Sequence, residues 1–162
     1  MSPRPLISGF LSLMLVAGMM ICGLALPVQA VGPYACSPTQ DDEMGPLYRP
    51  GAPVRHSVGD GYLLMGRVKS AVDCAPIAHA RIEIWLAGPE GFYGDDWRAT
   101  LFSAAGGTYY FRSHVPPRYG LGRPHIHLKA TAPGFIPLVT QHYPQPDAGE
   151  AIFDLVLKSA EQ

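Results

Sequence analysis

The amino-acid sequence predicts an all-β protein, a single antiparallel β-sandwich preceded by an extended N-terminal arm. The first observation is a series of six or seven short apolar runs, each bounded by turn residues. The second is that none of these runs has the spacing of an amphipathic helix. The third is an abundance of glycine and proline, 18 and 17 residues, which are spread along the chain and form no repeat. Frequent turns between short strands are typical of sandwiches and barrels.

The first thirty residues are predicted to be a signal peptide, residues 1–30, that is cleaved after Ala30. A short cationic start ending at Arg4 is followed by an uncharged apolar run from Leu6 to Leu26, which is the layout of a secretory leader. An uncleaved membrane anchor is the alternative, since the apolar run approaches the length of a membrane span. The leader predicts a secreted or periplasmic protein, with no membrane association after cleavage.

The charge of the chain argues against nucleic-acid binding, and its cysteine content indicates a disulfide. Loss of Arg4 with the leader would take the net charge from −1 to −2, and the chain has no basic run or stripe, so no nucleic acid partner is expected. The cysteines that follow the leader, Cys36 and Cys74, form an even pair. In an oxidising compartment such a pair favours a disulfide, with two buried free thiols as the alternative.

Residues 31–57 are predicted to form the extended arm. Gly-Pro, Ser-Pro, Arg-Pro and Ala-Pro pairs recur through this segment, and proline both lacks a backbone donor and favours an extended residue before it. Such an arm either wraps the surface of its own domain or packs on a partner subunit. The acidic residues Asp41, Asp42 and Glu43 are interpreted as a solvated patch.

Residues 58–162 are predicted to form the sandwich, which would be the catalytic domain. Strands are indicated by short runs of apolar, β-branched and aromatic residues, several of them alternating with polar ones. The predicted strands span residues 62–69, 80–87, 97–103, 108–113, 125–131, 135–143 and 151–157. Glycine- and proline-containing turns separate them, at residues 59–61, 73–76, 88–91, 105–107, 116–117 and 132–134.

Two histidines at the start of the fifth predicted strand are the main candidates for chemistry. Alternate side chains of a strand share a face, so His125 and His127 point one way while Ile126 and Leu128 point the other. Histidine is the commonest metal ligand but also an ordinary surface residue. This spacing alone therefore fits a metal site and a solvated sheet face equally well.

Two tyrosines near strand ends favour the metal site over the solvated sheet face. Tyr93 follows the break at residues 88–91, and Tyr119 lies in the loop before the histidines. Zinc sites favour Cys, His and carboxylates, and blue copper sites need Cys. A set of two phenolates and two imidazoles instead suits Fe(III), because a strongly charged ion can hold tyrosine ionised despite its ordinary pKa of about 10.

A series of short motifs follows in order along the chain. They are Ser37-Pro-Thr-Gln40, Gly45-Pro-Leu-Tyr48, Asp73-Cys-Ala-Pro76, Ala80-Arg-Ile-Glu-Ile-Trp85, Gly107-Thr-Tyr-Tyr-Phe-Arg112, Pro117-Arg-Tyr119, Arg123-Pro-His125-Ile-His127 and Thr140-Gln141-His142-Tyr143. Together they resemble the motifs of the intradiol ring-cleavage dioxygenases, the family of protocatechuate 3,4-dioxygenase and catechol 1,2-dioxygenase. The offset of Tyr93 from Trp85 also resembles that family, and the resemblance covers most of the chain after the leader.

The resemblance implies a non-haem Fe(III) enzyme of aromatic compound catabolism. Such an enzyme uses O2 to cleave a catecholic ring between its two hydroxyl-bearing carbons and releases a muconate-type diacid. The iron ligands that the resemblance implies are Tyr93, Tyr119, His125 and His127. It also implies catalytic roles for Tyr119 as the labile phenolate, for Arg123 in stabilising negative charge on the ring, and for Gln141 in contacting the substrate.

Two features depart from the family pattern. The family usually has one residue between its Arg-Pro pair and the first histidine, whereas here His125 follows Pro124 directly, which shifts Arg123 by one position of strand register. The chain is also short for the family and has no counterpart of the helical N-terminal domain through which some members dimerise. One arrangement left open is therefore a homo-oligomer in which each subunit contributes residues to the site of its neighbour.

Two other functions account for part of the sequence. An exported non-catalytic β-sandwich binding module, transthyretin-like or carbohydrate-binding-like, would explain the fold and the leader but not the tyrosines and histidines. A periplasmic copper- or zinc-binding protein would use His125 and His127 alone. Among the remaining polar and aromatic residues, Trp85 is interpreted as a core residue, His142 as solvent-facing and Asp95 as part of a polar turn.

Overall fold

The structure, a computed structural model, describes residues 34–161. The predicted signal peptide and the first residues of the predicted arm lie outside the described residues. The described chain forms one short 3-10 helix, Asp95–Trp97, and the strands β1 Tyr62–Ser70, β2 Arg81–Leu86, β3 Arg98–Phe102, β4 Thr108–Ser113, β5 Ile126–Thr131, β6 Leu138–His142, β7 Glu150–Ile152 and β8 Leu155–Leu157. Within these residues no helix is long and apolar enough to cross a bilayer.

Two four-stranded sheets form the β-sandwich, so the predicted fold class is confirmed. The first sheet has the order β4-β1-β7, with β8 also paired to β1, and the second has the order β3-β2-β5-β6. The β1–β4 pair and all pairs of the second sheet are antiparallel. The short β7 and β8 pair with β1 in parallel, so the end of the chain returns to the first sheet beside its longest strand.

The predicted strand 151–157 is instead two strands, interrupted at Phe153 and Asp154. The Asp154 carboxylate accepts from the Arg67 backbone N–H at 2.8 Å and from Lys69 Nζ at 2.5 Å. In a continuous strand the Arg67 N–H would donate to a backbone carbonyl. Because it donates to the Asp154 side chain instead, the backbone hydrogen bonding to β1 is interrupted between β7 and β8. Burial works to raise the Asp154 pKa, but these hydrogen bonds and the charges of Lys69 and Arg67 outweigh it and lower the pKa.

Apolar side chains from the inner faces of both sheets fill the sandwich. Leu64 and Val68 of β1 are buried at alternating positions, as is Phe111 of β4, and they face Ile84 and Leu128 of the second sheet. The same period of two predicts the strands from the sequence. Burying one such side chain contributes about 1.5–3 kcal/mol, so the sandwich provides a rigid frame for residues at the strand ends.

The arm crosses the outer face of the second sheet and wraps its own domain. Its backbone joins that sheet through a hydrogen bond from Asp42 N to Val139 O of 2.9 Å. Tyr48 lies against Trp85 with ring centroids 5.0 Å apart, and its Oη donates to the Glu83 carboxylate at 3.1 Å. Glu83 and Trp85 are only 3% and 2% exposed, so the arm turns a solvent-facing sheet surface into a second buried layer.

The predicted disulfide between Cys36 and Cys74 is present, and its two Cα atoms are 5.4 Å apart. Cys74 lies in the turn after β1, where its φ of +62° is in the left-handed region. Backbone hydrogen bonds from Ala35 and Cys36 to the residues that follow β1 accompany the disulfide. The beginning of the described arm is therefore fixed to the first sheet both covalently and through its backbone.

His142 is half-buried and its side chain faces the first sheet, so its interpretation as a solvent-facing residue is wrong. It has the same parity in β6 as the core residue Leu138, which directs its side chain towards the first sheet. Its Nε2 lies 2.6 Å from Tyr62 Oη. Burial lowers the pKa of His142 to about 4, so its imidazole is neutral in the folded protein near neutral pH.

We expect the free energy of unfolding to fall as the pH is lowered from about 6.5 towards 4. In this window the unfolded chain protonates His142 while the folded protein does not, so protons favour the unfolded state. Because the side chain is partly exposed and solvent screens the effect, the part due to His142 is on the order of 1 kcal/mol. Denaturant unfolding at about pH 7 and about pH 5 measures it, with the non-titrating variant His142→Gln as control. Equal losses in the two proteins would contradict this role.

Candidate active site

Three side-chain atoms that could bind a metal converge at one end of the second sheet. The Nε2 atoms of His125 and His127 are 3.0 Å apart, and Tyr93 Oη is 3.3 Å from His125 Nε2. The ring of Tyr119 meets that of Tyr93 edge-on, with centroids 5.1 Å apart. All four side chains line a single cavity of about 390 Å³. The structure therefore brings together the four residues predicted to bind a metal.

Each of these side chains reaches the cavity from a strand end or a loop. Tyr93 precedes the 3-10 helix in the connection between β2 and β3, and Tyr119 lies in the connection between β4 and β5. His125 comes directly before β5 and His127 is its second residue. Residues that are distant in sequence meet here because β5 lies beside β2 in the sheet.

Backbone and aromatic contacts fix the two imidazoles. His125 Nδ1 lies 2.6 Å from the Arg123 carbonyl, to which it donates, so that its Nε2 lone pair faces the cavity. The His127 ring stacks on Trp85, with centroids 4.9 Å apart and planes within 1°. Trp85 is thus buried as predicted, and it also orients a site residue.

Gly45 of the arm closes over the edge of the His127 ring. A β-carbon at this position would lie 3.3 Å from His127 Cε1, and the Gly45 φ of +69° is one that other residues rarely adopt. Trp85 behind the ring and Gly45 at its edge leave His127 little freedom to rotate. The sequence motif that includes Gly45 therefore has a direct structural use, which its spacing alone does not reveal.

Two of the four converging side chains, His127 and Tyr93, are uncharged near neutral pH and can accept a cation. Burial, followed by the nearby His125, lowers the pKa of His127 to about 4. Burial, followed by the charge of a Tyr119 phenolate, raises the pKa of Tyr93 to about 12. Only a strongly charged cation would ionise Tyr93 at neutral pH, and it would also satisfy the two facing imidazole nitrogens.

The donor set fits a hard, highly charged metal ion. Two imidazole nitrogens and a phenol oxygen converge, and a second phenol stands at the wall, which is the mixed O/N set expected for Fe(III). Within residues 34–161 no group of three or more His, Cys, Asp or Glu side chains is placed to hold a metal ion. The candidate centre is instead one in which two tyrosines accompany two histidines.

Arg123 and Gln141 lie on the wall of the same cavity. The Arg123 guanidinium lies over the Tyr143 ring, 4.8 Å from its centroid. Gln141 Nε2 donates to the Glu43 carbonyl at 2.8 Å, and its Oε1 lies 3.1 Å from Tyr143 Oη. Both predicted catalytic side chains are thus anchored by neighbours and face the space in front of the ligand cluster.

The arm supplies a wall of the cavity that was not predicted from the sequence. The Asp42 carboxylate accepts from Tyr143 Oη at 2.8 Å, so this part of the acidic patch contributes to the site instead of being only solvated. The hydrogen bond raises the Tyr143 pKa, after the larger effect of burial. No signal in the sequence pairs the arm with β6, because that contact joins segments about a hundred residues apart.

Comparisons with known proteins identify similar dioxygenases. Catechol 1,2-dioxygenase 2 of Acinetobacter lwoffii is 33% identical over a 132-residue alignment covering 60% of this chain and 48% of that protein. Chlorocatechol 1,2-dioxygenase of Pseudomonas sp. strain P51 is 29% identical, with 61% of this chain and 53% of that protein covered. The chain spans about half the length of these curated relatives. No family model matches the chain.

A solved structure is similar over its whole length. It is the dioxygenase domain of a dioxygenase carbohydrate-binding protein fusion from the cellulolytic bacterium Streptomyces sp. SirexAA-E. Its sequence is 30% identical, the TM-score is 0.67, and the match covers 76% of this chain and 100% of that one. The similarity in sequence and fold therefore extends over a complete domain.

Proposed function

The chain belongs to the intradiol ring-cleavage dioxygenase family, and on that premise we propose that it is a non-haem Fe(III) dioxygenase. It inserts both atoms of O2 into a catecholic ring and opens the ring between the two hydroxyl-bearing carbons, which gives a muconate-type diacid. The observation that carries the proposal is the convergence of Tyr93 Oη with the Nε2 atoms of His125 and His127 in one cavity.

The residues that would hold the iron are Tyr93, Tyr119, His125 and His127. When bound, Fe(III) would withdraw electron density from a catecholate and make its ring reactive towards O2. The protein's own share is to hold two imidazoles and two tyrosine side chains around one point. His125 is held by the Arg123 carbonyl, and His127 by Trp85 and Gly45.

The two tyrosines have different freedom, which suits them to different roles. Tyr93 is half-buried beside the His127 ring, whereas Tyr119 is 43% exposed in a loop that contains Gly120 and Gly122. Tyr119 is therefore the tyrosine whose side chain can swing aside when a catechol enters, and as a phenolate released from the metal its oxygen would accept a catechol proton. Tyr93 stays in place and keeps the site assembled.

Arg123 and Gln141 would bind and orient the substrate. The guanidinium of Arg123 brings positive charge to the cavity wall, where it can stabilise negative charge that develops on the ring. The Gln141 amide is held by the Glu43 carbonyl and Tyr143 and can contact a catechol oxygen.

Replacing Arg123 by glutamine should lower kcat/KM for catechol cleavage roughly a hundredfold, the scale seen when one charge-stabilising donor is removed. The backbone carbonyl that orients His125 is kept in this variant, so iron binding should persist. Steady-state oxygen consumption measures the effect, and Arg118→Gln, which removes an exposed arginine upstream in the same connection, is the matched control. Equal losses in both variants would show that the register shift has displaced Arg123 from its role.

We also propose that the protein works outside the cytoplasm. The predicted leader motivates this proposal, and the disulfide between Cys36 and Cys74 supports it, because disulfides persist in oxidising compartments. Its substrates would then be catechols met in the periplasm or released around the cell. Fractionation of the host cells, followed by mass measurement of the mature chain, tests both the location and cleavage after Ala30.

Oxygen consumption by the iron-loaded protein tests the proposed activity. The panel should contain catechol, 3,4-dihydroxybenzoate and hydroxyquinol, because substituents on the ring are the feature that the cavity wall would select. We expect uptake of O2 with at least one of them, together with the ultraviolet spectrum of a ring-opened diacid. No uptake with any catechol by protein that has bound iron would reject the proposal.

A further inference from the structure

A second cleft, of about 340 Å³, lies between the arm and the second sheet. We call it the arm cleft. Pro46, Leu47 and Arg49 line it from the arm, and Trp85, Tyr93 and Arg98 line it from the domain. Pro46, Leu47 and Tyr93 also line the active-site cavity, so the two spaces share a wall that includes a predicted iron ligand.

Two residues that line the arm cleft each carry a buried N–H donor with no hydrogen-bond partner among residues 34–161. These donors are Nε1 of Trp85 and Nε of Arg98. The Trp85 side chain is only 2% exposed, and leaving such a buried donor unpaired costs roughly 1–3 kcal/mol. Trp85 and Arg98 stand directly opposite each other in the β2–β3 pair, so the two donors belong to cross-strand neighbours on one face of the sheet, beside the cleft.

The charge around these donors favours an anion. The other nitrogens of Arg98 are in use, since Nη1 donates to the Arg49 carbonyl at 2.7 Å and Nη2 pairs with Asp95 at 2.8 Å. Arg49 pairs with the same Asp95 carboxylate at 2.9 Å. Two guanidinium groups therefore share one carboxylate, which leaves one positive charge uncompensated beside two free N–H donors.

We propose that the arm cleft is a carboxylate-binding subsite. One oxygen of the carboxylate accepts from Trp85 Nε1–H and the other from Arg98 Nε–H, while Arg49 supplies the balancing charge. The carboxylate is either a substituent of the aromatic ring that the enzyme cleaves, in which case the subsite rests on the proposed function, or a separate small carboxylic acid. Both sources present the same group to the same donors.

The chain contains only two tryptophans, Trp85 and Trp97, which makes a direct measurement simple. In a spectrum of the protein labelled with ¹⁵N-tryptophan and purified from iron-depleted medium, two indole N–H signals are expected. Titration with benzoate should move the Trp85 signal downfield in a saturable manner, because that N–H gains an acceptor, and should leave the Trp97 signal in place. Catechol, which has no carboxylate, should not move the Trp85 signal.

Acetate, benzoate and 3,4-dihydroxybenzoate distinguish the two sources. A response to all three at similar concentrations identifies a separate carboxylate, whereas a response mainly to 3,4-dihydroxybenzoate identifies a substituent of the ring. Either result supports the subsite. A Trp85 signal that no carboxylate moves overturns it, and because this measurement uses no turnover, it can fail while ring cleavage succeeds, or the reverse.

Two variants add a second readout. Arg49→Gln should weaken binding of the responding carboxylate roughly tenfold, the effect expected for one charged contact, while Arg112→Gln, at an exposed position on β4, should leave the affinity unchanged. Trp85→Phe keeps a ring against His127 but removes the donor, and should weaken binding by a similar factor. If Trp85→Phe does not fold, the comparison of Arg49→Gln with its control Arg112→Gln decides. Equal affinities in wild type and Arg49→Gln overturn the subsite.

Discussion

Replacing Tyr93 by phenylalanine should abolish most of the visible absorption of the iron-loaded protein and lower its catechol cleavage by at least about a hundredfold. Tyr93 Oη is the oxygen that lies beside the imidazole pair, 3.3 Å from His125 Nε2. Burial raises the pKa of the Tyr93 phenol above its ordinary value, so ionisation of this phenol at neutral pH depends on the metal. A phenyl ring keeps the packing but provides no anionic oxygen, and the site loses both a ligand and a negative charge.

Absorption spectra during titration with Fe(III) measure this effect directly. Wild type should develop a strong band from charge transfer between tyrosinate and iron, and Tyr119→Phe should keep a weaker, shifted band from Tyr93 alone. Tyr110→Phe, at an exposed position on β4, is the matched control and should behave as wild type. A full-strength band in Tyr93→Phe would show that this tyrosine is not a ligand.

Replacing Cys36 and Cys74 together by serine should lower the free energy of unfolding by about 3–4 kcal/mol. The disulfide spans 38 residues of sequence, and closing a loop of that length in the unfolded chain accounts for an effect of this size. The beginning of the arm would also lose its covalent attachment to the first sheet. Because the arm carries Gly45 and one wall of the active-site cavity, weaker iron binding should accompany the loss of stability.

Denaturant unfolding of wild type with and without a thiol reductant measures the same quantity without mutation. The reductant should destabilise wild type to the level of the double serine variant and should leave that variant unchanged, which makes the variant its own control. A difference below about 1 kcal/mol between oxidised and reduced wild type would mean that the arm is held by its backbone and side-chain contacts alone.

Local sequence patterns predict much of this fold. Alternation in Tyr62–Ser70 and Thr108–Ser113, together with the glycine and proline turns, is a signal that each segment carries by itself. The convergence of His125 and His127 is also local, because the two residues are neighbours on one strand. Predictions of this kind depend only on the geometry of a strand and do not require knowledge of its partners.

The parts that could not be predicted depend on contacts between distant segments. Asp154 interrupts a strand because its carboxylate takes the Arg67 N–H of another strand, and nothing near Asp154 in sequence indicates this. The alternation of β6 places His142 on the inner face, but its partner there, Tyr62, belongs to the other sheet and is not indicated by that segment. Asp42 joins the cavity only because the arm lies along β6. In each case a polar side chain finds its partner through the tertiary fold, which single-segment patterns do not contain.

The resemblance to a family and the geometry answer different questions about the site. The resemblance names Tyr119 as the labile phenolate, but gives no physical reason why it and not Tyr93 should move. The structure supplies one, since Tyr93 is half-buried beside His125 while Tyr119 is exposed in a glycine-containing loop. This difference is the physical basis for expecting Tyr119 to move and Tyr93 to stay.

Product analysis after reaction under ¹⁸O2 tests the central claim most directly. Iron-loaded protein should convert a catechol into a ring-opened diacid that contains both atoms of one O2 molecule, with cleavage between the carbons that carried the hydroxyl groups. Mass spectrometry would show two ¹⁸O atoms in that diacid. Three results would contradict the account. They are a product cleaved at a ring bond adjacent to the two hydroxyl-bearing carbons, an oxidised ring without incorporated ¹⁸O, and unchanged catechol.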